Sequence, residues 1–191
     1  LIERKEEIMK KATELFSEGG YDNTSTRELA KAVDLSVAGL YYFFQNKEEI
    51  LFNILNQSLS RMVESVIVAV NNNDDPQTNI KRIIENLSQE VLANKMEIGL
   101  LLKESERLNP EQLLIINNKK REVFILIKKE LSKLNDEGRL KNNNLTFITF
   151  ALLAVINFSF HWFNPKGKLS IKDFIAETNE LFFNGVLKDK K

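Results

Sequence analysis

An all-α chain is what the sequence predicts, and three observations carry that expectation. Proline and glycine are scarce, three and seven in 191 residues. No segment alternates β-branched with polar residues, and apolar residues recur at three- and four-residue spacing nearly throughout. With 43% hydrophobic and 28% charged residues, the chain is long enough to bury a core, as one domain or as a small module attached to a larger one. No cysteine is present, which excludes disulfides, thiolate zinc sites, iron–sulfur clusters and cysteine nucleophiles. The start, Leu1-Ile2-Glu3-Arg4-Lys5-Glu6-Glu7, lacks the basic flank and apolar run of a signal peptide, so a cytoplasmic location is expected.

Taken in order, the first helix carries Ile8, Ala12, Leu15 and Phe16 on one stripe and stops at Gly19-Gly20. Ser25-Thr26-Arg27-Glu28 is a capping box that opens a short helix with Leu29, Ala30 and Val33 inward, running to about Asp34. Ser36 caps a third helix holding Leu40, Phe43 and Phe44. Asn46 caps a fourth, with Glu48 and Glu49 in its first turn and a stripe of Ile50, Leu51, Ile54, Leu55, Leu59, Met62 and Val66. The run 71–76 breaks it. Further helices are expected at about 77–94, 96–107, 110–135, 144–163 and 171–187, with Asn109-Pro110 and Ser170-Ile171-Lys172-Asp173 as start signals. Short asparagine runs occur at 71–73 and 142–144. Leu145 to Phe163 is just long enough to span a membrane, but Thr146, Thr149, Asn157, Ser159 and His161 interrupt it, and a helix buried on most sides by protein is expected.

The second and third helices, about three residues apart, have the spacing of a helix-turn-helix. Charge gives no bulk attraction to nucleic acid. Residues 1–50 hold seven basic side chains against ten acidic ones, a net −3, so any binding must come from a locally arranged face. Gly20-Tyr21, Thr24, Leu29-Ala30, Ala32, Leu35-Ser36, Leu40-Tyr41, Phe44 and Lys47-Glu48 stand in an order and spacing that resembles the DNA-binding region of the tetracycline-repressor (TetR/AcrR) family of bacterial regulators. The resemblance covers about the first 50 residues. It implies an all-α protein with a three-helix DNA-binding domain at 1–47, a larger helical ligand-binding and dimerisation domain at 48–191, and a homodimer on a palindromic operator.

The same resemblance marks where this chain departs from the pattern. Asp34 stands where the turn usually holds glycine, and aspartate tolerates a left-handed backbone. In the recognition helix a common lysine is Val37, a common glycine is Ala38, a frequent threonine is Gly39, and a frequent histidine or tyrosine is Phe43. The small apolar turn Val37-Ala38-Gly39 permits close approach and thymine-methyl contact but offers no side-chain hydrogen bond to a base edge. Readout then falls to Arg27, Tyr42 and DNA shape. Tyr41, Tyr42 and Lys47 are expected at the phosphate backbone, and Thr24 and Thr26 with the free amides of the second helix suit a phosphate. The expected DNA set is thus Thr24, Thr26, Arg27, Ser36, Val37, Ala38, Gly39, Tyr41, Tyr42 and Lys47. For the two tyrosines the alternative is aromatic packing in the core. The chain begins at Leu1 with no initiating methionine, which leaves room for an upstream arm.

In the second domain the last two helices have the pattern of a dimer seam, because an antiparallel hairpin cannot bury all of their apolar surface itself. Pairing with a copy gives a four-helix bundle, with Phe158, Trp162, Phe174, Thr178, Leu181, Phe182 and Gly185 at the interface. Met62, Val66, Leu87, Val91, Leu101, Phe124, Ile127, Phe147 and Phe150 are candidates for lining a ligand space, chosen as large apolar residues on inward stripes. With few acids among them, a small lipophilic or neutral effector is expected. A lone His161 makes a poor metal site, and neither a metal nor a cofactor is expected. Catalytic motifs are absent: no Gly-x-Ser-x-Gly, no phosphate-binding glycine loop, no His-Glu-x-x-His. The expected function is a ligand-responsive transcriptional regulator, most simply a repressor, with no enzyme activity and no membrane partner. The alternative is a helical carrier of lipophiles whose helix-turn-helix no longer binds DNA. Repressor and activator are not separable from the sequence.

Overall fold

The computed structural model describes residues 2–141 and 143–188. Leu1, read above as the start of the chain, and Asn142, in the second asparagine run, lie outside the described residues. Among these the chain runs through α1 (Ile2–Gly19), α2 (Thr26–Ala32), α3 (Val37–Phe43), α4 (Lys47–Ala69), α5 (Pro76–Ala93), α6 (Lys95–Glu104), a 3-10 turn (Ser105–Arg107), α7 (Pro110–Asp136), α8 (Leu145–Trp162) and α9 (Ile171–Val186). The all-α expectation holds, and the boundaries shift by a residue or two, except that the helix expected at 96–107 ends at Glu104 and passes into the 3-10 turn. Two shifts have a visible cause. Asp75 caps α5, its carboxylate accepting from the Thr78 amide at 3.3 Å, so Pro76 is the first helical residue and no longer part of the break. Phe44 ends α3 as an extended residue (φ −140°, ψ 132°) and turns its ring into the core.

Two compact units are present: Leu1–Leu59 with Met96–Asn117, and Ser60–Lys95 with Asn118–Lys191. They do not coincide with the sequential pair 1–47 and 48–191. In the first unit α1 buries Ile8, Ala12 and Phe16, and α2 buries Leu29 and Ala30. Tyr21 packs edge-on against Phe16 at 5.0 Å. The segment before α7 is tied to the same unit by an Asp22–Arg107 ion pair at 2.6 Å. Asn109 adds two bonds to Glu48 Oε1, from its amide at 3.0 Å and its Nδ2 at 2.8 Å.

In the second unit α5 packs on both α8 and α9, and Leu92, Phe163 and Phe174 form one buried cluster. Lys95 donates to the Phe163 carbonyl at the end of α8, where a cation complements the helix dipole. Burial lowers its pKa from the usual lysine value. The chain end is fastened by a two-residue antiparallel pairing of Leu140 with Leu187: Lys141 N–H reaches Val186 O at 2.8 Å, and Lys188 N–H reaches Arg139 O at 2.9 Å. Helix α8 is long and apolar enough to cross a membrane by length and composition, and only 28% of it is buried within the chain. The expectation that protein covers it on most sides is therefore not met by this chain alone.

A polar hub sits inside the second unit. Asn79 is fully buried. Its Nδ2 donates to Asn71 O and to Glu130 Oε2, both at 3.0 Å, and its Oδ1 accepts from the Asn71 amide at 3.1 Å and from Arg82 Nη2 at 2.5 Å. Glu130 is 1% exposed and takes its other bond from Lys133 at 2.7 Å. Asn79 thus joins the Asn71 backbone to the side chains of Glu130 and Arg82, and a buried group left unpaired is costly. Asn79→Ala is expected to lower stability by about 3 kcal/mol, whereas Asn72→Ala, at an exposed position, should stay within about 0.5 kcal/mol. Urea unfolding of the two variants checks this.

Candidate functional site

The candidate helix-turn-helix is built from short helices held by their ends. Ser25 accepts from the Glu28 amide at 3.2 Å while the Glu28 carboxylate accepts from the Ser25 amide at 2.7 Å. The Ser25 amide first, and then the Ser25 hydroxyl, hold the Glu28 carboxyl below its usual pKa. Asp34 takes the left-handed conformation the turn requires, φ +49°. Ser36 then caps α3 by accepting the Gly39 amide at 3.0 Å. A Cβ added at Gly39 would lie 3.3 Å from that same hydroxyl, so a side chain there presses on the cap.

Leu40 and Phe44 fill the core side of α3, which leaves Tyr41 and Tyr42 outward, Tyr42 being 72% exposed. This excludes the core-packing alternative for both. Tyr42 rests edge-on against the half-buried Phe43 at 5.1 Å. Arg27 and Ala38 are exposed, and Thr26, Val37 and Gly39 are half-buried. Ser36 is exposed, with its hydroxyl engaged as a cap.

Two residues expected at phosphates have other partners. Thr24 is buried, and its hydroxyl donates inward to Gly20 O at 2.9 Å and Leu15 O at 3.3 Å, so it closes the turn before α2 and leaves the phosphate set. Lys47 donates to the carbonyls of Tyr21 at 2.7 Å and Thr24 at 3.0 Å, with its ammonium 4.3 Å from the Tyr21 ring centroid. One of its three N–H groups remains for a phosphate. The Tyr21 hydroxyl is pushed up to about 12, first by burial and then by the charges of Glu48 and Asp22, and stays neutral. Arg4, counted above only as charge, donates to the Val33 carbonyl and pairs with Glu7. The local signal was the Arg4/Glu7 spacing of one turn.

In the second unit Met62, Val66, Leu87, Val91 and Ile127 are all buried, and Phe124 is half-buried. Leu101 is buried in the first unit. Phe147 and Phe150 correct the inward assignment: they are 64% and 59% exposed, because the inner face of α8 is taken by Ile148, Leu152 and Ile156. Phe150 instead stacks on Phe124 at 4.7 Å, and Phe147 lines an apolar groove of about 290 Å³ between α8 and α9. Of the seam residues, Phe158, Trp162, Leu181 and Gly185 are exposed, Leu181 at 69%. Phe182 is half-buried and lines the groove with Gly185. Phe174 is a correction: it is buried with Leu92 and Phe163, ring to ring at 5.6 Å from Phe163, and belongs to this chain's own core. Thr178 is buried as well, at the floor of the groove. Among the described residues no group of three or more His, Asp or Glu is placed to hold a metal ion.

Residues 8–54 match the family model described as bacterial regulatory proteins, tetR family, and residues 73–186 match that of the tetracyclin repressor-like C-terminal domain. IcaR of Staphylococcus epidermidis, a negative transcriptional regulator of the biofilm operon icaADBC, is 35% identical over 71 residues, 37% of either chain. The chain spans little more than a third of the length of such curated relatives. Among solved structures, PfmR, a TetR family transcriptional regulator from Thermus thermophilus, is 26% identical with TM-score 0.86, covering 95% of this chain and 99% of its own. AibR, in complex with isovaleryl coenzyme A and operator DNA, is 25% identical with TM-score 0.85, covering 93% and 97%.

Because its ammonium serves two carbonyls inside the unit, Lys47→Ala is expected to cost about 1–3 kcal/mol of stability. Tyr41→Phe, altering an exposed hydroxyl, should leave the urea midpoint within error. A Lys47→Ala protein as stable as the parent would reduce Lys47 to a surface charge.

Proposed function

This chain belongs to the tetR family of bacterial regulatory proteins, and from that membership and the outward face of α3 we infer that it is a ligand-responsive repressor that binds a palindromic operator as a dimer. Regulators of this family are not enzymes. The observation that carries the reading is the pair Tyr41 and Tyr42: two exposed aromatic hydroxyls on a two-turn helix whose core side is already filled by Leu40 and Phe44. Beside them Val37, Ala38 and Gly39 form a first turn small enough to enter a major groove. Arg27, Thr26, Ser36 and the remaining N–H of Lys47 flank it as phosphate and base contacts. The DNA-binding part is residues 1–47 and the ligand-binding and dimerising part residues 48–191.

Repression is supported by IcaR, itself a negative regulator, and an effector by AibR, which holds isovaleryl coenzyme A together with operator DNA. A lipophilic effector seated near Met62, Val66, Leu87 and Val91 fits the apolar surroundings there. Exposed α8 and α9 surface supports the dimer: a groove edged by Phe147, Val155 and Leu181 is covered when a second copy lays its own pair of helices across it. The carrier reading has one observation in its favour, that Arg4 and Lys47 commit hydrogen bonds to backbone carbonyls in a module already at net −3.

Selection of duplexes from a random pool by the purified protein decides between the two: enrichment of a palindromic site supports the regulator, and none supports the carrier. On the selected site Tyr41→Phe should weaken binding about as much as on altered sites, because a phosphate contact positions without reading sequence. A changed base preference would move Tyr41 from the backbone to a base. Leu181→Glu, at a position exposed in the single chain, should leave the fold intact and shift sedimentation toward monomer, since a charge at the seam is desolvated on pairing. A full dimer at micromolar concentration would place the seam elsewhere.

A further inference from the structure

Helix α2 is bracketed by two cations, and neither comes from the helix pair it helps to form. Lys47, in α4, takes the carbonyls that precede α2. Arg4, in the first turn of α1, takes the carbonyl that ends it: Nη2 donates to Val33 O, 29 residues away in sequence, while Nη1 pairs with Glu7. Val33 is the C-cap of α2 and is 3% exposed, so its carbonyl has little access to water. The amides around it are committed: Asp34 N–H to Lys31 O at 3.3 Å and Leu35 N–H to Ala30 O at 2.9 Å. Asp34, immediately after, stands at φ +49°. The peptide joining Val33 to Asp34 is the first link of the turn between α2 and α3. A guanidinium on its oxygen satisfies the helix-end acceptor, complements the helix dipole, and adds a tie to this turn from outside it.

The geometry points to Arg4 as a positioning residue for sequence reading: it holds the turn of the helix-turn-helix through Val33 and does not contact DNA. Glu7 is the second part of the device, since its carboxylate orients the guanidinium and competes with phosphate for it. The inference rests on the DNA-binding reading above. Two other roles for Arg4 are a phosphate contact, which would add to salt dependence, and a surface ion pair with Glu7 of no consequence.

The test compares the parent with Arg4→Met, Arg4→Lys and Glu7→Gln, each bound to the duplex selected by the parent and to a scrambled duplex at several salt concentrations. Arg4→Met should lose about tenfold on the selected duplex and little on the scrambled one, because a charged hydrogen bond to a helix end is exchanged for a turn without that tie. The slope of log affinity against log salt should not change. Arg4→Lys should recover most of the loss, and Glu7→Gln should not tighten binding although it removes a negative charge. A slope reduced by about 0.9 would make Arg4 a phosphate contact and overturn the proposal. Equal losses on both duplexes would reduce it to folded stability, and unchanged affinity would reduce it to a surface pair. Should Arg4→Met fail to fold by circular dichroism, Glu7→Gln decides, since tighter binding by that variant contradicts a positioning role. A parent that selects no duplex overturns the DNA-binding reading itself, before any variant is compared.

Discussion

A helix of seven residues does not stand alone in water, and α3 has seven. Its shape is imposed entirely from outside, and the first unit is arranged to impose it. Leu40 and Phe44 anchor one side in apolar contacts, Ser36 closes the beginning, and Asp34 supplies the one backbone conformation that lets the chain double back. Around this, Thr24 and Lys47 commit their hydrogen bonds to the loop before α2. A surface that must match another molecule is thereby fixed before that molecule arrives, and the ordering entropy is met by folding and not by binding.

The same arrangement occupies several of the module's cations. Arg4 and Lys47 spend hydrogen-bond donors on backbone carbonyls while keeping their charge, and Lys11 is matched to Glu14 at 2.8 Å. Basic side chains therefore serve geometry first here. Val37, Ala38 and Gly39 have no polar side-chain atom to place in a groove, so the proposed readout leaves polar discrimination to Arg27 and Tyr42 beside apolar contact and duplex shape.

Helix ends and faces were legible in the sequence because their causes are local. Ser25, Ser36, Asn46 and Ser170 each cap within three residues of themselves, and the outward placement of Tyr41 and Tyr42 follows from Leu40 and Phe44 at helical spacing. What was not legible depends on distant partners. Nothing near Lys47 announces that its ammonium will meet carbonyls 26 and 23 residues earlier. Nor does periodicity separate Phe174 from Phe158: both lie on apolar stripes, but Phe174 meets Leu92 and Phe163 of its own chain, while Phe158 meets solvent. An apolar stripe says that something covers it, not what.

The pairing of Leu140 with Leu187 bears on how α8 and α9 behave as a pair. The hairpin they form is joined at one end by its own loop and at the other by these two hydrogen bonds, so it is a closed ring in which neither helix can slide by a turn. Sliding would move the knobs of α8 past the holes of α9 and erase the groove between them. With register held at both ends, the groove is a moulded surface, and the second copy proposed above would meet it by rigid docking, at a rate set by collision and orientation and not by rearrangement.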